Sequence, residues 1–386
     1  MPDRTVDEQF LQQALDLAHL GVGLASPNPC VGAVIVDAHG NVIGTGSHTY
    51  AAIKHAEVLA LEQAGGKARG GTLYINLEPC SHQGRTPPCA DAVIAAGIRR
   101  VVASMNDPNP AVAGRGFEKL RAAGVQVEVG AMAEQARRLN ESFARYIRHG
   151  IPFVTLKSAM TLDGKIAPPP SAQTVSHLEA GTPPGGWITG EAARAHVQQM
   201  RYEHDALLTG VGTILVDDPL LTDRTGRRRR RPLLRVILDS HLRTPPDSRF
   251  VRSAGADDVL ILCSAPTEDK KSRLQDRGIR VETLPPSDNG LIDLHAVAKR
   301  LGQFEITSLM IEAGGRINGS ALAAGIVDKV FLFYAPKIFP EPNAVPFTDD
   351  ILSGSTAKTV PVKSLSLHRF GEDFAVEGYI RDPYQD

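Results

Sequence analysis

The chain has 386 residues, a formal net charge of −1 and four cysteines, Cys30, Cys80, Cys89 and Cys263. Near-neutral charge gives no global attraction to nucleic acid or to an anionic membrane, and so few cysteines in a chain this long do not make a disulfide scaffold. No apolar run approaches the roughly 18 residues of a spanning helix, and the polar N-terminus is unlike a signal peptide. The expectation is a cytoplasmic two-domain enzyme with neither nucleic acid nor membrane as partner.

Residues 7–20 carry the helical spacing Phe10, Leu11, Ala14, Leu15 and Ala18. Residues 31–36 form a continuous apolar run that predicts a buried strand, with residues 41–46 as its hairpin partner. Residues 72–77 predict a strand that ends just before Pro79-Cys80. That places Cys80 at a strand's C-terminal end, where ligands gather in open α/β sheets. A strand at 99–104, a helix at 116–123 and a helix at 133–147 follow, and His149-Gly150-Ile151-Pro152 is a stop signal. Strands at 153–157, 206–210, 234–239, 259–263 and 309–312, mostly separated by helical segments, read as a second α/β domain. The predicted domains are 1–147 and 151–386. Cys263 reads as core, and the arginine run 227–231 as a solvated loop, since no aromatics interleave with it.

The chemistry of the first domain is concentrated in His55-Ala56-Glu57, Pro79-Cys80 and Cys89. One imidazole and two thiolates form the ligand set of a catalytic zinc site, which keeps a fourth position for water. Zinc lowers the pKa of that water to about 7. His55 and Glu57 stand at the start of a helix with an apolar face, and Cys89 opens a second helix, whose positive end favours a thiolate. Glu57 is then the acid/base group rather than a ligand, as in zinc deaminases. The alternative is that both cysteines are small core residues. Eight residues separate Cys80 from Cys89, where nucleotide deaminases commonly have two. This insert offers His82, Arg85, Thr86 and the amides around Gly84 to a phosphate; the alternative is a solvated loop.

In the second domain, residues 310–320 run from a strand through Gly314-Gly315 into a helix predicted to begin near Asn318. Glycines admit a ligand to the backbone, and a helix N-terminus favours phosphate. The stretch is not the G-x-G-x-x-G fingerprint, and a tight turn without ligand stays open.

Residues 78–89, Glu78-Pro79-Cys80-Ser81-His82-Gln83-Gly84-Arg85-Thr86-Pro87-Pro88-Cys89, resemble the signature of the bifunctional riboflavin-biosynthesis deaminase–reductases, the RibD family. Residues 26–32 resemble its N-terminal substrate loop, and residues 106–110 with 114–116 fit the same family, as do 157–166 and 210–222 in the second domain. The resemblance implies a cytidine-deaminase-like three-layer domain followed by a dihydrofolate-reductase-like α/β domain. It implies one zinc ion on His55, Cys80 and Cys89, and Asn28 as a substrate residue. In the second domain it implies that Ala159, Trp187, Thr213, Asp217, Ser240 and the loop Gly314, Gly315, Arg316, Ile317, Asn318, Gly319 and Ser320 line NADPH. Arg201, Leu221, Arg224 and Glu312 would hold the substrate. Asp217 is a candidate acid for the proton accompanying hydride transfer; the alternative is an Asp that caps the loop before Asp218-Pro219. The implied reactions are hydrolytic deamination of a phosphorylated diaminopyrimidine and reduction of its ribosyl group to ribityl, in a homo-oligomer.

One departure concerns residues 168–186, a longer, proline-rich loop, expected to be mobile, in which the family's substrate-contacting serine has no clear match. The competing expectation is a zinc deaminase of nucleosides or RNA with a non-catalytic C-terminal binding or assembly module.

Overall fold

The computed structural model describes residues 4–82, 87–169, 186–287, 290–349 and 359–385. It divides into two compact units, Met1–Gly150 with Arg228–Arg230, and Ile151–Arg227 with Arg231–Asp386.

The first unit is built on five strands: β1 (Gly32–Val36), β2 (Val42–Ser47), β3 (Thr72–Ile75), β4 (Arg100–Ala103) and β5 (Gln126–Val129), in spatial order β2-β1-β3-β4-β5. β1 is antiparallel to both β2 and β3, while β3, β4 and β5 run parallel. Every residue of β1 is buried, which explains its unbroken apolar sequence. The helix Arg4–His19 packs on the face that displays Val34 and Val36, through Leu11 and Ala14. The helix Ala56–Ala64 packs on the opposite face, where Gly44 and Gly46 of β2 admit it. A Cβ at Gly46 would stand 2.1 Å from the carbonyl oxygen of Ala56, and one at Gly44 would stand 2.1 Å from that of Ala60. Helices on both faces of one sheet give the three layers expected.

The second unit holds β6 (Phe153–Thr161), β7 (Lys165–Ala167), β8 (Ala206–Gly210), β9 (Leu234–Leu238), β10 (Val259–Cys263), β11 (Arg280–Thr283), β12 (Ser308–Glu312), β13 (Lys329–Ala335), β14 (Val345–Pro346), β15 (Lys363–Phe370) and β16 (Asp373–Tyr379). Nine of these form one sheet in the order β11-β10-β9-β8-β12-β6-β13-β16-β15. It is parallel from β11 to β13, and β16 and β15 extend it antiparallel. Among the described residues, β7 pairs only with β14. Apolar clusters cover both faces, one around Leu207, Ile237, Ile261 and Met310, the other around Leu156, Leu208, Val236 and Ile311.

Three local expectations change. The helix expected over 133–147 is two helices, Ala133–Leu139 and Glu141–His149. Asn140 breaks it: its side chain accepts from the Cys30 N–H at 2.8 Å and donates to the Cys30 carbonyl at 3.1 Å. The helix expected near Asn318 begins a turn earlier, at Gly315, because Gly314 is extended (φ −79°, ψ 172°) and acts as its N-cap. The arginine run is not simply solvated. The Arg227 guanidinium lies 3.8 Å over the Tyr202 ring, and Arg231 donates to the Phe304 carbonyl at 3.0 Å and pairs with Asp205 at 3.2 Å. Most of the proline-rich loop, residues 170–185, lies outside the described residues.

Candidate active sites

In the first unit three chain segments meet around His55, Cys80 and Cys89. His55 is the N-cap of the helix Ala56–Ala64, so Glu57 occupies that helix's first turn. Cys80 follows β3 by a short loop, and Cys89 opens the helix Cys89–Ala95. The ligand atoms of the three residues lie within 4.8 Å of one another. His55 Nδ1 is 3.1 Å from Cys89 Sγ and 3.6 Å from Cys80 Sγ. The Cys89 backbone N–H donates to Cys80 Sγ at 3.3 Å, and the Ala90 N–H to the Cys80 carbonyl at 3.1 Å. The helix thus tethers the cysteine it faces.

The donor set fits zinc. Cys80 is held low, at about 4, chiefly by hydrogen bonding from Cys89, with His55 and the Cys89 backbone amide adding to it. The same contact pushes Cys89 up, because a second thiolate beside the first is disfavoured. A divalent cation among the three removes that conflict, and one nitrogen with two sulfurs suits a borderline-soft ion with a fourth position open. Glu57 is 3% exposed, and burial pushes its carboxyl up to about 7, the His55 charge opposing and the Cys80 charge assisting.

Asn28 reaches the same site through His48, a residue that sequence reading missed. Asn28 Nδ2 lies 3.0 Å from His48 Nε2, and His48 Nδ1 lies 3.0 Å from the Lys54 carbonyl. The His48 ring meets the His55 ring edge-on at 5.3 Å. His82 is exposed, whereas Arg85 and Thr86 lie outside the described residues. Asp107 stands near Cys80 and His82, and burial raises its carboxyl to about 6.

In the second unit a cleft of about 400 Å³ opens at the C-terminal ends of β6, β8 and β12. Its lining gathers Ala159, Trp187, Arg201, Thr213, Asp217, Leu221, Arg224, Glu312 and Gly314 from among the residues singled out in the sequence. Ser240 and residues 315–320 do not line it. The Ser240 carbonyl instead accepts from the Ser264 and Ala265 amides, and residues 315–320 form the helix behind Gly314. At the cleft floor Glu312 receives Lys157 Nζ at 3.1 Å, and Arg201 Nη2 and Nε at 2.9 and 3.1 Å. Burial alone would raise the Glu312 carboxyl, but the Arg201 and Lys157 charges outweigh it and hold it at about 2. Lys157 was not assigned from sequence; a lysine within an otherwise buried strand was the available signal. Burial raises Asp217 to about 6. The next residue, Asp218, is left-handed (φ 40°), and its carboxylate accepts from the Arg249 and Phe250 amides at 2.8 and 3.0 Å, which fixes the turn.

Residues 4–105 match the cytidine and deoxycytidylate deaminase zinc-binding region, and residues 152–376 match the RibD C-terminal domain. Fold and sites therefore define a zinc-binding deaminase domain joined to a reductase domain. RibD of Aquifex aeolicus is 39% identical over 97% of this chain and 98% of its own, and RibD of Escherichia coli is 41% identical over 86% and 88%. The structure of Acinetobacter baumannii RibD superposes with a TM-score of 0.81 at 32% identity, covering 98% of this chain and 99% of that one. The Thermotoga maritima structure, titled a diaminohydroxyphosphoribosylaminopyrimidine deaminase/5-amino-6-(5-phosphoribosylamino)uracil reductase, gives 0.79 at 33% identity over 97% and 99%. The chain belongs to the RibD family of bifunctional riboflavin-biosynthesis enzymes. The competing expectation of a nucleoside or RNA deaminase with a non-catalytic second half is set aside, because the second half is a reductase domain.

Proposed function

We propose that residues 1–147 deaminate 2,5-diamino-6-(5-phosphoribosylamino)pyrimidin-4(3H)-one and that residues 151–386 reduce the ribosyl group of the resulting 5-amino-6-(5-phosphoribosylamino)uracil to ribityl. The observation that carries the first half is the convergence of His55, Cys80 and Cys89 within 4.8 Å, with Glu57 buried in the adjoining helix turn. When bound, zinc supplies the Lewis acidity that ionises water near pH 7. Glu57, with a carboxyl near 7, suits the transfer of that water's proton to the departing amine. The amine leaves as ammonia, and a carbonyl takes its place on the ring. With His48 Nδ1–H donating to Lys54, His48 Nε2 accepts from the Asn28 amide, leaving Asn28 Oδ1 to accept a ring or amino N–H. His82 and the residues after it are assigned to the phosphate.

For the second half, the cleft's open backbone at Gly212 and Gly314, where an added Cβ would meet nothing within 4 Å, fits a bulky planar cofactor pressed against the chain. When bound, NADPH supplies the hydride; its phosphate-bearing form is assigned from the family resemblance. Asp217 lines the cleft and is protonated below about 6, which supports it as the donor of a proton as the sugar's ring-opened C1 accepts hydride. Lys157 and Arg201 hold Glu312 ionised, and Arg224 adds a cation at the rim for the sugar phosphate. Ser240 and residues 315–320 are assigned to the cofactor's far end, outside the cleft described. β15 forms one edge of the sheet with Leu365 and Leu367 63% and 76% exposed, which supports a second copy of the chain as partner.

The test is the full chain with its phosphorylated pyrimidine, following ammonia release and NADPH oxidation together. Glu57→Gln should keep its zinc, lose ammonia release by about 10²–10⁴-fold and still reduce substrate supplied already deaminated. Wild-type ammonia release by that variant sinks the assignment of Glu57.

A further inference from the structure

We propose that Glu78 is a positioning residue for the Cys80 ligand, tying the metal site to the Asp107–Gly116 segment; this rests on the reading of His55, Cys80 and Cys89 as zinc ligands. Glu78 stands two residues before Cys80 and is 5% exposed, yet it forms no ion pair among the described residues. Its carboxylate is instead filled by four backbone amides. Oε2 accepts from Asp107 at 3.0 Å and from Gly114 at 2.8 Å, and Oε1 from Gly116 at 2.8 Å and Phe117 at 3.3 Å. Two of these amides belong to the first turn of the helix Arg115–Ala122, whose positive end suits a carboxylate.

Gly116 closes the same contact from the other side. A Cβ there would stand 2.0 Å from the Pro79 carbonyl oxygen. Because this neighbour is backbone, the clash could not be relieved by a side-chain movement. The residue between Glu78 and Cys80 is therefore clamped directly onto the helix. Cys80 is held from two directions: by the Cys89 and Ala90 amides on one side and by the Glu78 anchor on the other. The anchor also fixes Asp107, whose carboxylate accepts from the Asn109 amide at 2.8 Å and stands near Cys80 and His82. One carboxylate thus sets the place of a metal ligand and of the wall beside it.

A glutamine at 78 keeps the shape but turns an NH₂ toward two amide donors, so two backbone N–H groups lose their acceptor. The experiment uses the full chain and reads metal binding rather than deamination. Zinc affinity is measured by chelator competition, and the cobalt(II)-substituted protein by its thiolate charge-transfer and d–d absorption. Glu78→Gln should weaken zinc binding by about 10- to 100-fold and shift the cobalt bands, while the far-UV circular dichroism of the full chain stays at wild type and reports that the first unit is folded, and the unchanged reduction rate reports the same of the second. Glu78→Asp, with both oxygens kept one methylene short, should fall between the two, and Gly116→Ala should weaken binding in the same direction with the carboxylate intact. Wild-type zinc affinity and cobalt spectra in Glu78→Gln or, where that protein does not fold, in Glu78→Asp and Gly116→Ala overturn the proposal. A wild-type chain that takes up no zinc overturns the zinc reading instead.

Discussion

The Asn28 side-chain amide is oriented by His48: its nitrogen lies 3.0 Å from His48 Nε2, whose ring is fixed in turn by the Lys54 carbonyl. Burial lowers the His48 pKa, which favours a neutral ring with one donor and one acceptor nitrogen. His48→Phe preserves the ring's bulk but leaves the Asn28 amide without its acceptor. One unsatisfied group costs ~1–3 kcal/mol, so KM for ammonia release should rise about tenfold or more, with zinc content unchanged. Steady-state ammonia production beside metal analysis checks this; an unaltered KM removes Asn28 from substrate recognition.

Glu312 sits between two cations, and its effect on stability has a defined sign. Its carboxyl is held at about 2, below the ordinary 4.5. The stability it contributes is fully present above pH 4.5 and is lost as pH falls toward 2. Glu312→Gln leaves Lys157 and Arg201 facing a neutral group, which should cost ~3–5 kcal/mol at neutral pH. The difference from wild type should shrink on acidification. Denaturant unfolding can be followed through Trp187, the chain's single tryptophan, which reports on the second unit. A difference that does not change with pH contradicts the ion-pair account.

Asp217 carries the opposite sign. Burial holds it at about 6 rather than 3.8, so its stabilising contribution is complete below pH 3.8 and is lost as pH rises through 6. As the proton donor it should make kcat/KM for reduction fall as pH rises past about 6. Asp217→Asn should be slow and flat with pH, yet at least as stable as wild type at pH 8. Reduction rates and unfolding midpoints from pH 5 to 8 test both halves of this expectation, and an undiminished pH profile in the variant excludes Asp217 as the donor.

What the sequence made legible was local. His55 and Glu57 share one helix start, and Cys89 opens another, so spacing and helix chemistry suffice to bring forward the metal site. The buried strands announce themselves as apolar runs. Three kinds of information were hidden. Glu78 and Lys157 act through partners tens to more than a hundred residues away, Gly116 and Glu312, and nothing near either residue marks the pairing. Asn140 ends a helix whose apolar pattern continues, because it bonds the Cys30 backbone across the unit. The arginine run is a loop, as its sequence suggests, but its anchoring was hidden, because Tyr202 and the Phe304 carbonyl, which receive Arg227 and Arg231, are supplied by distant segments. Ser240 shows a related difficulty: its place after β9 is legible, but whether it faces the cleft depends on how the strand end turns.

The glycines of β2 have one more bearing on the deaminase half. Because the helix carrying His55 and Glu57 rests on Gly44 and Gly46 through its own carbonyl oxygens, no change of rotamer can make room for a methyl group there. Any larger residue must lift the helix, and an imidazole and a carboxyl would travel with it as a single body. At this contact the two strand positions have no room to vary, and the sheet beneath behaves as a fixed datum from which the site is measured.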